Sequence, residues 1–234
     1  MRADTLAALN AARAEKRRVC LVRYLEGGGE ALIVDAATVL GEVPEDVAEA
    51  AATALRRDQA MTADTSRGRV FLQIFNPPLR LIVIGAVHIA QALAPMAALT
   101  GYQVTVIDPR RAFATDSRFP DVAMAGDWPD EAMTALAPDR RTAVVALTHD
   151  PKIDDPGLDV ALRSEAFYIA ALGSRRTHAG RLERLRELGH DDATLARIHG
   201  PAGLDIGAVS PAEIAISVLA QMTAVLRRIG GTAR

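Results

Sequence analysis

Two textures of apolar and polar positions follow one another along the chain. Up to about residue 75 the apolar stretches are short and broken by turn residues. A helical pattern runs from Leu6 to Lys16, and strands follow at Arg18 to Leu25 and Ala31 to Val34, joined by a hairpin turn at Gly27-Gly28-Gly29. Pro44 opens a second helix ending near Arg57. Met61 to Thr65 and Arg69 to Phe75 read as another hairpin across Ser66-Arg67-Gly68. This part, residues 1–76, is expected to be a small α+β domain. Asn76-Pro77-Pro78 suits neither a helix nor a paired strand and marks the linker.

From residue 79 to about 230 the apolar runs become continuous and alternate with helical segments, the signature of parallel strands buried on both faces. The runs are Arg80 to Ile84, Gln103 to Ile107, Thr142 to Leu147 and Phe167 to Leu172. Helices are predicted at Ile89 to Leu99, Glu131 to Leu136, Pro156 to Arg163 and Arg175 to Leu188, with Gly101 and Gly189 as stops. Pro95 should kink the first of them. Ser210-Pro211-Ala212-Glu213 announces a last helix, with a capping serine, proline in the first turn and a glutamate that reaches back. The fold class is α/β: a Rossmann-like doubly wound parallel sheet preceded by the small α+β domain.

Composition narrows the function. The chain has 234 residues, half of them hydrophobic, and its 27 Lys and Arg are interleaved with 29 Asp and Glu for a net charge of −2. Nothing in that balance points to nucleic acid or an anionic membrane surface. No run approaches the ~18 to 20 apolar residues of a membrane span, so the expected location is cytoplasmic. Cys20 is the only cysteine, which excludes an internal disulfide and a cysteine zinc cluster. Its surroundings, Val19-Cys20-Leu21-Val22, suggest a buried strand residue.

Ligands of an open parallel sheet lie beyond the carboxyl ends of its strands, and the residues there are polar. They are Gly85-Ala86-Val87-His88, Asp108-Pro109-Arg110-Arg111, Thr148-His149-Asp150 and Gly173-Ser174-Arg175-Arg176-Thr177-His178. In the dinucleotide fingerprint, glycines occupy the turn, the point of pyrophosphate approach and the helix packing position. Gly85 supplies the first. Val87 stands at the second, where a β-branched side chain obstructs phosphate approach, and Ala90 at the third. Asp108, 23 residues after Gly85, has the spacing of a ribose-binding carboxylate, and Arg110 or Arg111 offers a phosphate contact instead. An NAD(P)-dependent oxidoreductase is therefore one reading. His88, His149, His178 and His199 fall in or beside these loops, while His190 reads as surface; no two histidines have helical ligand spacing, and no metal site is expected. Ser174 has the position of a helix cap whose free N–H groups favour an anion. The segment Ile198-His199-Gly200-Pro201-Ala202-Gly203-Leu204-Asp205-Ile206-Gly207 carries too many special backbone positions for a plain connector, and is expected to fold over the crevice and present Asp205.

Taken together, Gly85-x-x-His88-x-Ala90, Asp108-Pro109-Arg110, Phe119-Pro120, Leu147-Thr148-His149-Asp150, Leu172-Gly173-Ser174-Arg175-Arg176-Thr177 and the Ile198–Gly207 segment resemble the XdhC/CoxI family, the xanthine dehydrogenase accessory proteins. The resemblance covers about Leu81 to Leu226. It implies a non-catalytic chaperone that binds molybdenum cofactor (molybdopterin), accompanies its sulfuration and delivers it to a molybdenum hydroxylase apoenzyme of the xanthine dehydrogenase type. It also implies a homodimer, with a cysteine desulfurase as a further partner. The cofactor-binding set so implied is Gly85, Val87, His88, Asp108, Arg110, His149, Asp150, Gly173, Ser174, Arg175, His178, Gly203 and Asp205. Two departures stand out: the amino-terminal Gly-Gly-Cys-Glu-like segment of the family has no counterpart, and Val87 replaces the usual glycine.

Overall fold

A computed structural model describes residues 1–110 and 117–229, which form two compact units: Met1–Pro77 with the chain end from Arg227, and Pro78–Leu226. In the first unit, α1 (Ala3–Ala14) precedes three strands, β1 (Val19–Tyr24), β2 (Glu30–Val34) and β3 (Ala37–Leu40). Then come α2 (Glu45–Arg57), β4 (Met61–Thr65) and β5 (Gly68–Phe75). The strands form one antiparallel sheet in the order β3-β2-β1-β5-β4. Alternate residues of β1 take opposite sides. Cys20, Val22 and Tyr24 pack with Val47, Ala51 and Leu55 of α2, while Val19 and Leu21 pack with Leu9 and Ala12 of α1. A helix on each face is why Val19 to Val22 of β1 read as an apolar run although its neighbours are antiparallel.

Strand β3 escapes sequence reading because its turn is disguised. Val34 pairs with Ala37, so Asp35 and Ala36 alone make the turn, and both have positive φ, 46° and 72°. That is the backbone of a two-residue hairpin normally announced by Asn-Gly or Asp-Gly. Asp35 is held there by its carboxylate, which accepts from Arg18 N–H at 3.0 Å and Arg17 Nε at 2.8 Å.

The second unit is a parallel α/β sheet. Its elements are β6 (Leu79–Ile84), α3 (His88–Leu99), β7 (Tyr102–Ile107), β8 (Ala123–Ala125), α4 (Pro129–Leu136) and β9 (Thr142–Ala146). They continue with α5 (Pro151–Arg163), β10 (Tyr168–Ala171), α6 (Arg175–Glu187), α7 (Asp192–Leu195), β11 (Ile198–His199) and α8 (Pro211–Ile229). The strand order is β11-β10-β9-β6-β7-β8, with every pair parallel. The chain works outward from β6 in one direction and then from β9 in the other. This is the doubly wound Rossmann arrangement, and its topological switch point lies between β6 and β9. Leu81 and Val83 point to a core built with α3 and α8, whereas Ile82 and Ile84 point to a core built with α4, α5 and α6.

The start of α5 and several short elements differ from the sequence expectation. The helix expected from Pro156 begins at Pro151, because Asp150 caps it by accepting from Lys152 N–H at 3.0 Å and Pro151 supplies a first-turn residue. Pro156 therefore lies inside α5. α3 runs through Pro95 as a single helix. β8, α7 and β11 are short elements with no periodic signal long enough to see. The capping of α8 is as expected: Ser210 N–H donates to Glu213 Oε2 at 2.8 Å and Glu213 N–H to Ser210 Oγ at 3.3 Å.

Removing the Cβ at the left-handed position of the β2–β3 turn relieves its conformational cost. Ala36→Gly is expected to stabilise the first unit by about 0.5–1 kcal/mol, seen as a higher urea midpoint at unchanged slope. An unchanged or lower midpoint would contradict the turn assignment.

Candidate functional site

The loops at the carboxyl edge of the second sheet are tied to one another by close backbone approaches and by two buried carboxylates. Gly85 follows β6 with φ +106°, is buried, and donates its N–H to Ile107 O at 2.7 Å. A Cβ at Gly85 would collide with the Thr148 methyl of the β9 loop. Only glycine fits both constraints. Val87 caps α3 without a side-chain hydrogen bond, and His88 is the exposed first residue of that helix.

Asp108 follows β7 directly and has no exposed surface. Its Oδ2 accepts from Ala86 N–H at 2.8 Å and Arg110 Nη2 at 2.8 Å, and its Oδ1 accepts from Arg110 N–H and Nε, each at 2.9 Å. Burial by itself raises this carboxyl, but the Arg110 and Ala86 hydrogen bonds outweigh it and hold the pKa below the usual aspartate range. The residue thus anchors the first loop to the β7 loop, and its oxygens are occupied by the chain's own donors. Arg110 is held by this fork and feels Asp150 and Asp154 across the crevice. Arg111 lies outside the described residues.

A second buried carboxylate, Asp154 in the first turn of α5, organises the β9 loop. Its Oδ1 accepts from the Thr148 hydroxyl at 2.6 Å and Thr148 N–H at 3.3 Å. Its Oδ2 accepts from His149 N–H at 3.0 Å and lies 3.5 Å from Arg181 Nη2 on α6. These bonds hold His149 in the left-handed region, φ 65°, with its ring exposed. Burial pushes the Asp154 carboxyl up and the Arg181 guanidinium down. The Thr148 and His149 donors and the Arg181 charge oppose that upward shift at Asp154. Arg181 is 1% exposed; Nη2 also donates to Leu172 O at 3.0 Å, while Nε and Nη1 are buried without a partner.

After β10, Ser174 caps α6 by accepting from Thr177 N–H at 3.1 Å. His149 Nδ1 lies 3.6 Å from where a Cβ on Gly173 would be, so the β9 and β10 loops meet. A Cβ on Gly200 would overlap the His178 ring, which brings the β11 loop against α6. Burial, then the Arg181 charge, lowers the His178 pKa, and burial lowers that of His199. Both rings are thereby neutral near pH 7. His199 stacks on Tyr168 with centroids 4.9 Å apart. Tyr168 OH donates to Gln221 Oε1 at 2.6 Å, and the same oxygen accepts from Gly203 N–H at 2.9 Å. The Ile198–Gly207 segment is therefore fixed onto α8 through Gln221, with Asp205 exposed.

Two cavities flank the start of α6. One, of about 290 Å³, lies between α5 and α6 and is lined by His149, Asp154, Asp155, Arg176, Thr177, Arg181 and Arg184. The other, of about 400 Å³, is lined by Arg175, Gly203, Asp205, Ile206, Ile214 and Ser217 among others. Among the described residues no group of three or more His, Cys, Asp or Glu is arranged to hold a metal ion, and no helix is long and apolar enough to cross a membrane.

The family profile described as the XdhC Rossmann domain matches residues 81–222. The chain belongs to the XdhC family. It is 36% identical over 151 residues to the molybdenum cofactor insertion chaperone PaoD of Escherichia coli, a match spanning 64% of this chain and 41% of that one. It is 33% identical over 161 residues to a probable xanthine dehydrogenase subunit of Bacillus subtilis, covering 68% and 47% of the two chains. An uncharacterized Escherichia coli protein, YqeB, is 33% identical over 69% of this chain and 30% of its own. A crystal structure of a xanthine dehydrogenase from Bacillus halodurans superposes with TM-score 0.68 at 26% identity, covering 96% of this chain and 64% of that one. The chain spans less than half the length of the curated relatives it matches.

Within this XdhC domain the expected site residues divide. His149 lines the α5–α6 cavity; Arg175, Gly203 and Asp205 line the other. Gly85, Val87, Asp150, Gly173 and Ser174 build the intervening loops, His88 begins α3, and His178 lies in the first turn of α6. Asp108 and Arg110 satisfy each other rather than facing outward as a ribose carboxylate and a phosphate-binding arginine. His190, expected at the surface, is 7% exposed and its Nε2 lies 2.7 Å from Asp159 Oδ1, at the far end of α5 and α6. Asp154, Asp155, Arg181 and Arg184 were not expected at all. Their signal is spacing: Thr177, Gly180, Arg181 and Arg184 share one face of α6, and Pro151, Asp154 and Asp155 share one face of α5. Starting α5 at Pro156 hides the second face.

The folded-state pKa of Asp108 is below its unfolded value, so its contribution to stability is present above the ordinary aspartate pKa and disappears as pH falls through the folded value. Asp108→Asn is expected to cost about 2 kcal/mol at pH 7 and to lose less further stability than wild type on acidification below about pH 4. Urea unfolding from pH 7 to 3 checks both. Parallel pH profiles would show that the carboxylate does not hold the loops.

Proposed function

We propose that this XdhC domain binds molybdenum cofactor as cargo and passes it to a molybdenum hydroxylase apoenzyme of the xanthine dehydrogenase type. The observation that carries the reading is the family match together with the identity to a molybdenum cofactor insertion chaperone. The crevice chemistry suits a pterin bearing an anionic tail. His149, Asp150 and Asp205 are exposed at its rim, where imidazole and carboxylates pair with the amino and amide edges of a pterin. The capped start of α6, at Ser174 and Arg175, presents free N–H groups and positive charge to an anion. Gly85, Val87, His88, Gly173, His178 and Gly203 shape the walls. Asp108 and Arg110 act by positioning the first loop. No residue is assigned a catalytic role, because the cargo is held and not transformed.

Sulfuration, if it accompanies delivery, draws its sulfur from a partner such as a cysteine desulfurase. Cys20 has no exposed surface and burial pushes its thiol up to about 12; such a thiol is neither reactive nor reachable.

Purified protein incubated with released molybdenum cofactor and passed through a desalting column is expected to retain pterin, read as fluorescence after oxidation, while NADH fluorescence stays unchanged on titration. Asp205→Ala is expected to lower retention roughly tenfold, the loss of one hydrogen bond to a charged group. Saturable NADH binding without pterin retention would overturn the reading.

A further inference from the structure

The loops account for the pterin end of the cargo but leave the α5–α6 cavity without a role. Its walls are more charged than packing requires. Asp154 and Asp155 contribute two carboxylates, matched by Arg181 at 3.5 Å and by Arg184, whose Nε and Nη2 donate to Asp155 at 2.5 and 3.2 Å. Arg176 adds a third guanidinium with no ion pair among the described residues, so the cavity carries surplus positive charge. Thr177, in the first turn of α6, contributes to the same wall.

The second observation is Arg181 itself. A guanidinium has five N–H donors, and burying one with unmet donors is unfavourable. Here the residue is 1% exposed, yet Nε and Nη1 have no partner among the described residues. Arg181 Nη2 lies 3.5 Å from Asp154 Oδ2 and donates to Leu172 O at 3.0 Å, which leaves its other donors unmet among the described residues. Arg176, Thr177 and Arg181 of α6 line one space of about 290 Å³, which takes a tetrahedral oxyanion with room for the first atoms attached to it.

We propose that this cavity is an oxyanion site, held by Arg176, Arg181 and Thr177, and that it takes the terminal phosphate of the pterin cargo. The identity of the ligand rests on the cofactor reading above; the oxyanion site does not. His149 connects the two regions, since it lines the cavity and also abuts Gly173 in the crevice. The phosphate contact is thereby assigned to α6 and withdrawn from Arg110, which Asp108 holds.

Inorganic phosphate, titrated at constant ionic strength against a chloride control, is expected to raise the thermal midpoint of the wild-type chain saturably. Arg176→Ala should weaken phosphate roughly tenfold, the value of one charge-assisted contact, and Arg176→Lys should recover part of it. Arg186→Ala, the same charge change at the other end of α6, should leave phosphate binding intact. A midpoint that does not respond to phosphate, or equal losses in the Arg176 and Arg186 variants, overturns the site. Arg176 avoids the folding risk of replacing buried Arg181. In a second arm, pterin cofactor and its dephosphorylated form compete for the wild-type chain. The dephosphorylated form should bind roughly tenfold more weakly, a difference that Arg176→Ala abolishes. If phosphate binds through Arg176 and no pterin is retained, the cofactor reading fails and the oxyanion site stands. If both pterin forms bind equally, the phosphate assignment fails and the cofactor reading stands.

Discussion

The crevice of this domain depends on one buried carboxylate. Asp154 accepts the Thr148 hydroxyl, the N–H groups of Thr148 and His149, and the charge of Arg181. Through it the end of β9, the first turn of α5 and the middle of α6 become a single unit. Removing either partner of such a pair leaves an uncompensated charge in the interior, at a cost of about 3–5 kcal/mol. The left-handed backbone of His149 belongs to the same knot, because a non-glycine residue holds that conformation only where its surroundings impose it.

Asp108 does the equivalent work on the other side of the switch point. Both carboxylates are engaged by backbone N–H groups and an arginine, and both sit one layer behind the residues that face the crevice. The division has a physical reason: rigid loops need their polar atoms satisfied internally, while exposed side chains such as His149, Asp150 and Asp205 stay available. Glycines complete it by removing side chains where loops must touch, at Gly85 against Thr148 and at Gly200 against His178.

Long periodic segments made the architecture legible in sequence. β6, β7, β9 and β10 announce themselves as apolar runs, and Ser210 with Glu213 announces α8. Short elements did not: β8 and β11 have three and two residues, and β3 hides behind a turn whose second position is alanine. The carboxyl-edge loops were legible because strand ends are where ligands of this fold bind. Residues one helical turn further on were not, because Asp154 and Arg181 act from inside helices, and a polar residue on a helix face reads as solvated until its neighbours are known. Asp108 shows the converse: its spacing from Gly85 fits ribose recognition, while Arg110, two residues on, donates to both of its oxygens.

The same contacts determine the side from which a ligand can enter. On the β7 side, Asp108 and Arg110 are committed to each other, and Val87 places a branched side chain where a dinucleotide would bring its pyrophosphate. Around β10 the conditions reverse: the α6 amino terminus is capped but its first N–H groups are free, two cavities open on either side of it, and cationic groups exceed their partners. On the proposed reading, an anionic ligand gains most by lying toward β10 and α6, away from the strand that would read a ribose. The same sheet that serves dinucleotides elsewhere is thus biased here, by a few substitutions at its edge, toward a ligand whose negative charge sits at one end.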